Sequence, residues 1–316
     1  VKPDFETNIP GIFIAGELGG MGLIRNAVEQ GRQALDSVRK LKGLGKQNQL
    51  DLVIVGAGPA GIAASLGAMD AKLRSVTVEQ DSLGGTVAHF PRGKLVMTRP
   101  AILPIVGRMN FTETSKEKLL EYWQGIERKT GLNINYKERV TGITRRPDGV
   151  SFEVKTTKNA YVTRAVLLTI GRRGTPRQLG VPGEKSSKVV YRLIDPEQYR
   201  GQHVLVVGGG DSALEAAHSI AEQPGTTVTI SYRSPAFTRA KPKNRDKVAQ
   251  LAAAGRMNVL MKSNVREIRR DSVVIEADGE PVILPNHGVI VCAGGILPTG
   301  FLKEVGIEVE TKYGTA

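Results

Sequence analysis

Two strand–glycine–helix units, one opening at Asp51 and the other at Val204, constrain this chain more than any other feature. In the first, the apolar run Asp51–Val55 leads into Gly56-Ala57-Gly58-Pro59-Ala60-Gly61. An alanine-rich helix is read from there over 62–71 and a strand over 75–79. A continuous apolar run suits a parallel strand covered on both faces. The loop fits G-x-G-x-x-G, and each glycine has a job. Gly56 allows the tight turn, Gly58 lets backbone approach a pyrophosphate, and Gly61 lets helix and strand pack closely. The helix N-terminus then faces the anion. Glu79 closes the next strand, 23 residues after Gly56, where a carboxylate accepts bonds from ribose hydroxyls.

The second unit repeats the plan. The run Val204–Val207 enters Gly208-Gly209-Gly210-Asp211-Ser212-Ala213, a helix is read to about 222, and a strand over 227–232 follows. Here the loop is G-x-G-x-x-A, and the strand ends in Tyr232-Arg233-Ser234 rather than in an acid. Arg239, Lys241 and Lys243 follow. Arginine in place of the acid suits a 2′-phosphate, so this unit reads as an NADP(H) site with Arg233 and Arg239 as phosphate clamps. Two such units predict an α/β protein with two doubly wound nucleotide-binding domains.

The rest of the chain is read more coarsely. Gly11–Glu17 reads as a short buried strand ending in a glycine turn, and 22–41 as a helix with Leu23, Ala27, Ala34, Leu35 and Val38 on one face. A Gly/Lys-rich stretch over 40–49 is the clearest linker. A helix is expected over 115–130, and separate short strands over 150–155, 161–163 and 165–170. Later strands are read at 257–261, 265–268, 272–277 and 288–292.

Composition excludes several classes. Hydrophobic residues at 40% and charged residues at 24% argue against disorder. The single Cys292 cannot form a disulfide within the chain and suits a reducing compartment. No apolar run is long enough to span a membrane. The net charge of +13 is scattered and lacks interleaved aromatics, so nucleic acid is not expected and an acidic protein partner is. His89, His203, His218 and His287 have no metal-ligand spacing, and no metal is expected.

Taken together, these motifs resemble the thioredoxin-reductase-like flavoproteins, which hold FAD in one domain and NADPH in a second inserted into it. The resemblance covers nearly the whole chain. Tyr191 through Ala217 is nearest the ferredoxin–NADP reductases of thioredoxin-reductase type and the bacillithiol-disulfide-reductase-like proteins. On that resemblance the FAD site comprises Gly16, Glu17, Gly22, Leu23, Gly56, Gly58, Pro59, Ala60, Gly61, Glu79, Gln80, Gly84, Gly85, Thr86 and Gly171. The NADP(H) site comprises Gly208, Gly210, Asp211, Ser212, Ala213, Arg233 and Arg239, with NAD(H) left open. The helix start near Met21–Leu23 would face the flavin, with Arg25 or Lys94 assisting. The implied domains are 1–40, 50–175 and 295–316 for FAD, 41–49 as linker, and 176–294 for NAD(P)H. Hinges would lie near Gly171–Pro176 and Gly294–Gly300.

The motif order departs from the family. The second FAD motif, usually near the C-terminus as T-x-x-P-G-I-F-A-A-G-D, stands here at Thr7–Glu17, with Glu17 in place of the Asp. Joining Ala316 to Val1 would restore the order, so a circular permutation is expected rather than a piece of a tandem protein, with residues 12–17 and 51–55 side by side in one sheet. Similar permuted flavoproteins follow a two-cluster [4Fe–4S] ferredoxin module, a resemblance that extends to the lead-in Val1-Lys2-Pro3-Asp4-Phe5-Glu6-Thr7-Asn8.

The C-x-x-C of thioredoxin reductases has no counterpart in Val189–Asp195, and the loop cysteine of the bacillithiol group is replaced by Ala60. Cys292 reads as a small core residue. Hydride transfer is the cofactors' own chemistry, so no catalytic side chain is expected. The implied activity is an NAD(P)H-dependent FAD oxidoreductase exchanging electrons with a ferredoxin or an attached [4Fe–4S] module. The alternatives are a low-molecular-weight disulfide or quinone reductase and a non-catalytic FAD/NADP(H)-binding redox sensor. A homodimer and a cytoplasmic location are expected, with membrane association through a segment outside this chain left open.

Overall fold

The computed structural model describes residues 1–19, 23–171 and 174–310. It divides into two compact units: Val1–His89, Gly93–Gly174 and the chain from Leu297 onward in the first, Phe90–Arg92 and Thr175–Ile296 in the second.

The first unit is organised on a seven-stranded sheet. Strand Ala160–Leu168 is its axis. Along one edge, residues 163–168 pair in parallel with Leu50–Val55, which pairs in turn with Ser75–Val78. The other edge is shared. Its first half pairs antiparallel with Phe152–Thr156, and its second half pairs in parallel with Ile12–Ile14. Strands 12–14 and 50–55 therefore lie in one sheet but not side by side, because Val166 stands between Ile12 and Val53. The separate strands expected over 161–163 and 165–170 are one strand. Thr163, at the junction, is buried and donates its hydroxyl to the Ala165 carbonyl.

Side chains alternate across this sheet, as strand geometry requires. Ile12, Ile14, Val53, Val55, Val166 and Leu168 meet Leu302 and Ile307 on one face. Phe13, Leu52, Ile54 and Leu167 meet two helices on the other, α1 (Ile24–Val38) and α2 (Pro59–Asp70). Helix α1 is shorter than the 22–41 expected, and α2 begins three residues earlier than read. Pro59 sits at its first helical position, where a missing N–H costs nothing. A third helix, α3 (Lys116–Thr130), is capped by the Ser115 hydroxyl, which accepts from the Lys118 N–H, and ends at Gly131 with φ +70°.

The stretch over 40–49 is pinned down. Arg164 donates to the Lys42 carbonyl, Arg74 donates to the Gln47 carbonyl, and the Asp51 carboxylate accepts from the Gly45 and Arg74 N–H groups. At the opposite end of the chain, Asn8 uses both functions of its amide. Its Nδ2 donates to the Gly306 carbonyl and its Oδ1 accepts from the Glu308 N–H.

The second unit carries a five-stranded parallel sheet in the order Val189–Val190, Gly288–Val291, His203–Val207, Thr227–Ser231, Met257–Leu260. Val204, Val206, Val228 and Ile230 pack on helices α4 (Asp211–Ala221) and α5 (Pro242–Ala253). Leu205, Val289 and Val291 pack on a three-stranded antiparallel sheet made by Ser263–Ile268, Ser272–Ala277 and Glu280–Pro285. Among the described residues no helix is long and apolar enough to cross a membrane.

Glu138 shows how the turn between strands 152–156 and 160–168 is held. Its buried carboxylate accepts from Thr156 Oγ1, Asn159 Nδ2 and the Tyr161 hydroxyl. Burial alone would raise its pKa, but the hydrogen bonds outweigh it and the carboxyl titrates below its ordinary value. A depressed folded pKa stabilises the fold above the unfolded pKa, and that contribution is lost as pH falls through the folded value. Glu138→Gln is expected to lower stability at pH 7 by about 1–2 kcal/mol. The gap to wild type should close in acid, as thermal melts at pH 7 and pH 3 would read. A gap independent of pH would show that the charge does not matter.

Candidate functional site: two glycine loops

In the first unit, Gly56 turns at φ +107°, and a Cβ there would stand 2.7 Å from the Thr169 carbonyl oxygen. Thr169 fixes the loop, its hydroxyl lying 2.9 Å from the carbonyls of both Val55 and Gly56. At Gly61 a Cβ would lie 1.9 Å from the Gly56 carbonyl oxygen. Gly58 differs. It caps α2 in an extended conformation, and a Cβ there would meet nothing nearer than the Gly85 Cα at 3.8 Å. The space over Gly58 is open, while Gly61 is closed by packing. Pro59 opens α2, and Ala60 is buried with its carbonyl against Gly31 of α1 and its methyl toward Gly16.

Leu83–Thr86 lies against this loop. The Gly84 N–H donates to the Ala57 carbonyl at 2.9 Å, and Gly84 and Gly85 both have positive φ. A Cβ on Gly84 would strike Leu120 of α3, and one on Gly85 would come within 3.1 Å of the Gly58 Cα. Thr86 is half-buried and Gln80 exposed.

Glu79 is 7% exposed. Its Oε2 accepts from the Ala57 N–H at 2.7 Å and its Oε1 from the Asp81 N–H at 2.8 Å. Burial nonetheless pushes its carboxyl above the ordinary value, because these N–H groups only partly offset desolvation. A carboxylate has room for about four donors. Hydroxyl donors from a ribose would complete its shell, so the residues present fit the adenosine end of FAD.

Gly16, at φ +88°, donates its N–H to Gln30 Oε1 of α1. Glu17 opens a short 3-10 turn, and Leu23 is the exposed N-cap of α1. Gly22 lies outside the described residues. Gly171 has φ +63° and open space around it.

In the second unit, Gly208 has φ +142°, and a Cβ there would stand 2.4 Å from the Cys292 carbonyl oxygen. Cys292 thus flanks the loop and is half-buried rather than fully in the core. Gly210 is the extended N-cap of α4 with open space beside it, Ser212 is exposed, and Ala213 is fully buried against Gly208. Asp211 points toward α5, its Oδ1 accepting from the Lys241 N–H at 2.8 Å. Arg233 and Arg239 are both exposed.

The segment Val189–Asp195, where thioredoxin reductases would carry their dithiol, is tied down instead. Glu184 accepts from the Leu179 and Gly180 N–H groups and from the Tyr191 hydroxyl, which burial and this carboxylate push up to about 12. Gly180, Glu184, Val189 and Tyr191 line an open cavity of about 810 Å³ that includes no glycine-loop residue.

A family model described as pyridine nucleotide-disulphide oxidoreductase matches residues 53–315. The chain belongs to that family. Within it, this chain is an FAD-dependent NAD(P)H oxidoreductase. Among curated members it is 26% identical over 265 residues to a ferredoxin–NADP reductase of Ignicoccus hospitalis, covering 83% of each chain. It is 23% identical to a bacilliredoxin reductase of Bacillus subtilis, over 83% of this chain and 82% of the relative. Solved structures of similar fold include a bacillithiol disulfide reductase from Bacillus cereus (TM-score 0.71, 22% identity, 83% of each chain). The T. acidophilum thioredoxin reductase gives TM-score 0.63 at 23% identity, over 84% of this chain and 83% of that one. The fold is thioredoxin-reductase-like.

Reading the sequence alone missed two residues that hold the loops, Gln30 and the α5 residue Asn244. Thr169 lies in the strand read over 165–170, two residues before Gly171, but its bonds to the glycine loop were not read. Gln30 sits mid-helix and Asn244 in the first turn of α5, with no local pattern to mark either.

Proposed function

We propose that this chain exchanges electrons between NADPH and an iron–sulfur partner of ferredoxin type, using FAD. The observation that carries the choice of acceptor is the tied-down segment 189–195. It offers Tyr191 held by Glu184 where a dithiol would have to move and react, and the only thiol in the chain is Cys292. Bound together, nicotinamide and flavin supply hydride transfer on one side and single-electron release on the other. The chain's own part is to bind and to orient. Glu79, Gly58 and the start of α2 would hold the adenosine and pyrophosphate of FAD. Gly210, the start of α4, Arg233 and Arg239 would hold NADPH through its phosphates. The net charge of +13 favours an acidic electron partner, and a reducing compartment such as the cytoplasm suits the lone thiol.

We further infer a circular permutation, in which Thr7–Glu17 supplies what relatives place last. Support comes from strands 12–14 and 50–55 sharing strand 160–168, and from Asn8 bonding across to 306–308.

Under anaerobic conditions NADPH is expected to bleach the visible flavin band of the purified chain, and added ferredoxin to restore it. A variant with Ala316 joined to Val1 and the chain opened at Gly45 should behave alike. Bleaching reversed by a small disulfide but not by ferredoxin would overturn the choice of acceptor, and a reclosed variant without flavin would overturn the permutation.

A further inference from the structure

We propose that Asn244 and Asp211 form a positioning clamp that sets the preference of the second site for a 2′-phosphorylated nucleotide. The inference rests on reading that site as the NADP(H) site.

The basic loop runs from Arg233 to Lys241, and both its ends are fastened to the glycine loop. At its start, the Tyr232 ring lies on Gly209, where a Cβ would come within 2.4 Å of the ring. That ring stacks on Phe237, with centroids 5.5 Å apart and planes 22° from parallel, and Phe237 and Ala240 are buried in the core under α4. At its far end, the Asp211 carboxylate accepts from the Lys241 N–H and from Asn244 Nδ2, both at 2.8 Å. Asn244 Nδ2 also lies 3.4 Å from Glu215 Oε1.

Asn244 is 7% exposed and Asp211 half-buried, so removing the amide leaves the Asp211 oxygen one donor short and opens a gap under the loop. The clamp also settles a charge problem. A carboxylate in the first turn of α4 would repel a phosphate at the same loop. Asp211 is instead drawn to the N-terminus of α5, where Lys241 is the N-cap and Pro242 the first helical residue, and where negative charge is stabilised.

Arg239 lies two residues before Lys241, whose N–H the clamp holds, and Arg233 directly follows Tyr232. Neither makes an ion pair among the described residues. Two arginines on a loop fastened at both ends lose less conformational freedom on gripping a phosphate than the same arginines on a loose loop. Loosening the clamp therefore removes affinity for the 2′-phosphate selectively, because the pyrophosphate is gripped by the glycine loop and α4.

The test is calorimetric binding of 2′,5′-ADP and of 5′-ADP to the full-length holoprotein, which needs no turnover. Asn244→Ala is expected to weaken 2′,5′-ADP about tenfold and 5′-ADP less than about twofold. The near-isosteric Asn244→Asp, which removes the donor and sets a second carboxylate against Asp211, should give at least as large a selective loss. It also serves if the alanine variant folds poorly. An equal loss for both ligands would reduce Asn244 to a structural residue and overturn the proposal, as would no loss for either. Wild-type protein with no preference for 2′,5′-ADP would instead overturn the NADP(H) reading beneath it, so the two failures are distinguishable.

Discussion

Gly61→Ala is expected to leave the purified chain with at most roughly a tenth of the flavin that wild type retains, the effect of losing about 1.4 kcal/mol of binding free energy. A Cβ at this position would stand 1.9 Å from the Gly56 carbonyl oxygen, so the start of α2 must part from the turn that strand 50–55 feeds. Overpacking of this kind costs about 1–3 kcal/mol and occasionally more. The melting temperature should fall with the flavin. Gly58→Ala makes the informative contrast. Its backbone has φ −78° and its surroundings are open, so the flavin-free protein should melt as wild type does. Flavin should still be lost, because the methyl group would occupy the approach to the loop. Flavin content per chain and melts of flavin-free protein read both effects. Full flavin in Gly61→Ala, or a destabilised flavin-free Gly58→Ala, would overturn the division of labour between the two glycines.

The second large effect concerns nucleotide choice. Arg233→Ala is expected to raise KM for NADPH about 10- to 100-fold, since a hydrogen bond to a charged group contributes about 1.5–3 kcal/mol. KM for NADH should stay within about twofold, because the residue is assigned to a phosphate that NADH lacks. Steady-state rates with an artificial electron acceptor separate the two nucleotides. Equal changes for both would mean that Arg233 acts on the loop as a whole.

Both glycine loops were legible in the sequence because each is a local pattern: an apolar run, glycines at fixed offsets, then a helix. The hairpin Ser272–Ala277 to Glu280–Pro285 carried a readable sign that was passed over. Asp278-Gly279 both take positive φ, as a two-residue hairpin turn demands, but Pro281 and Pro285 disguised the returning edge strand. Helix α5 was hidden because Arg239, Lys241 and Lys243 read as a basic loop, although Pro242 stands where a helix can begin. Asp211 shows the limit most clearly. Its place in the loop was evident, yet its direction toward α5 depends on an N–H 30 residues away, which no local pattern encodes.

The amide of Asn8 bears on how this protein is made. It bonds to Glu308 across a sequence separation of 300 residues, and the core that Ile12 and Val53 begin is completed by Leu302 and Ile307. During synthesis those strands wait until Leu302 and Ile307 emerge. The second unit, continuous from Thr175 to Ile296 apart from the short segment Phe90–Arg92, can gather its own sheet and core sooner. Contacts so distant in sequence slow folding, and domains tend to form as units while the chain is being made. The order of maturation is thus the reverse of the order of the text: the part read first is the last to close.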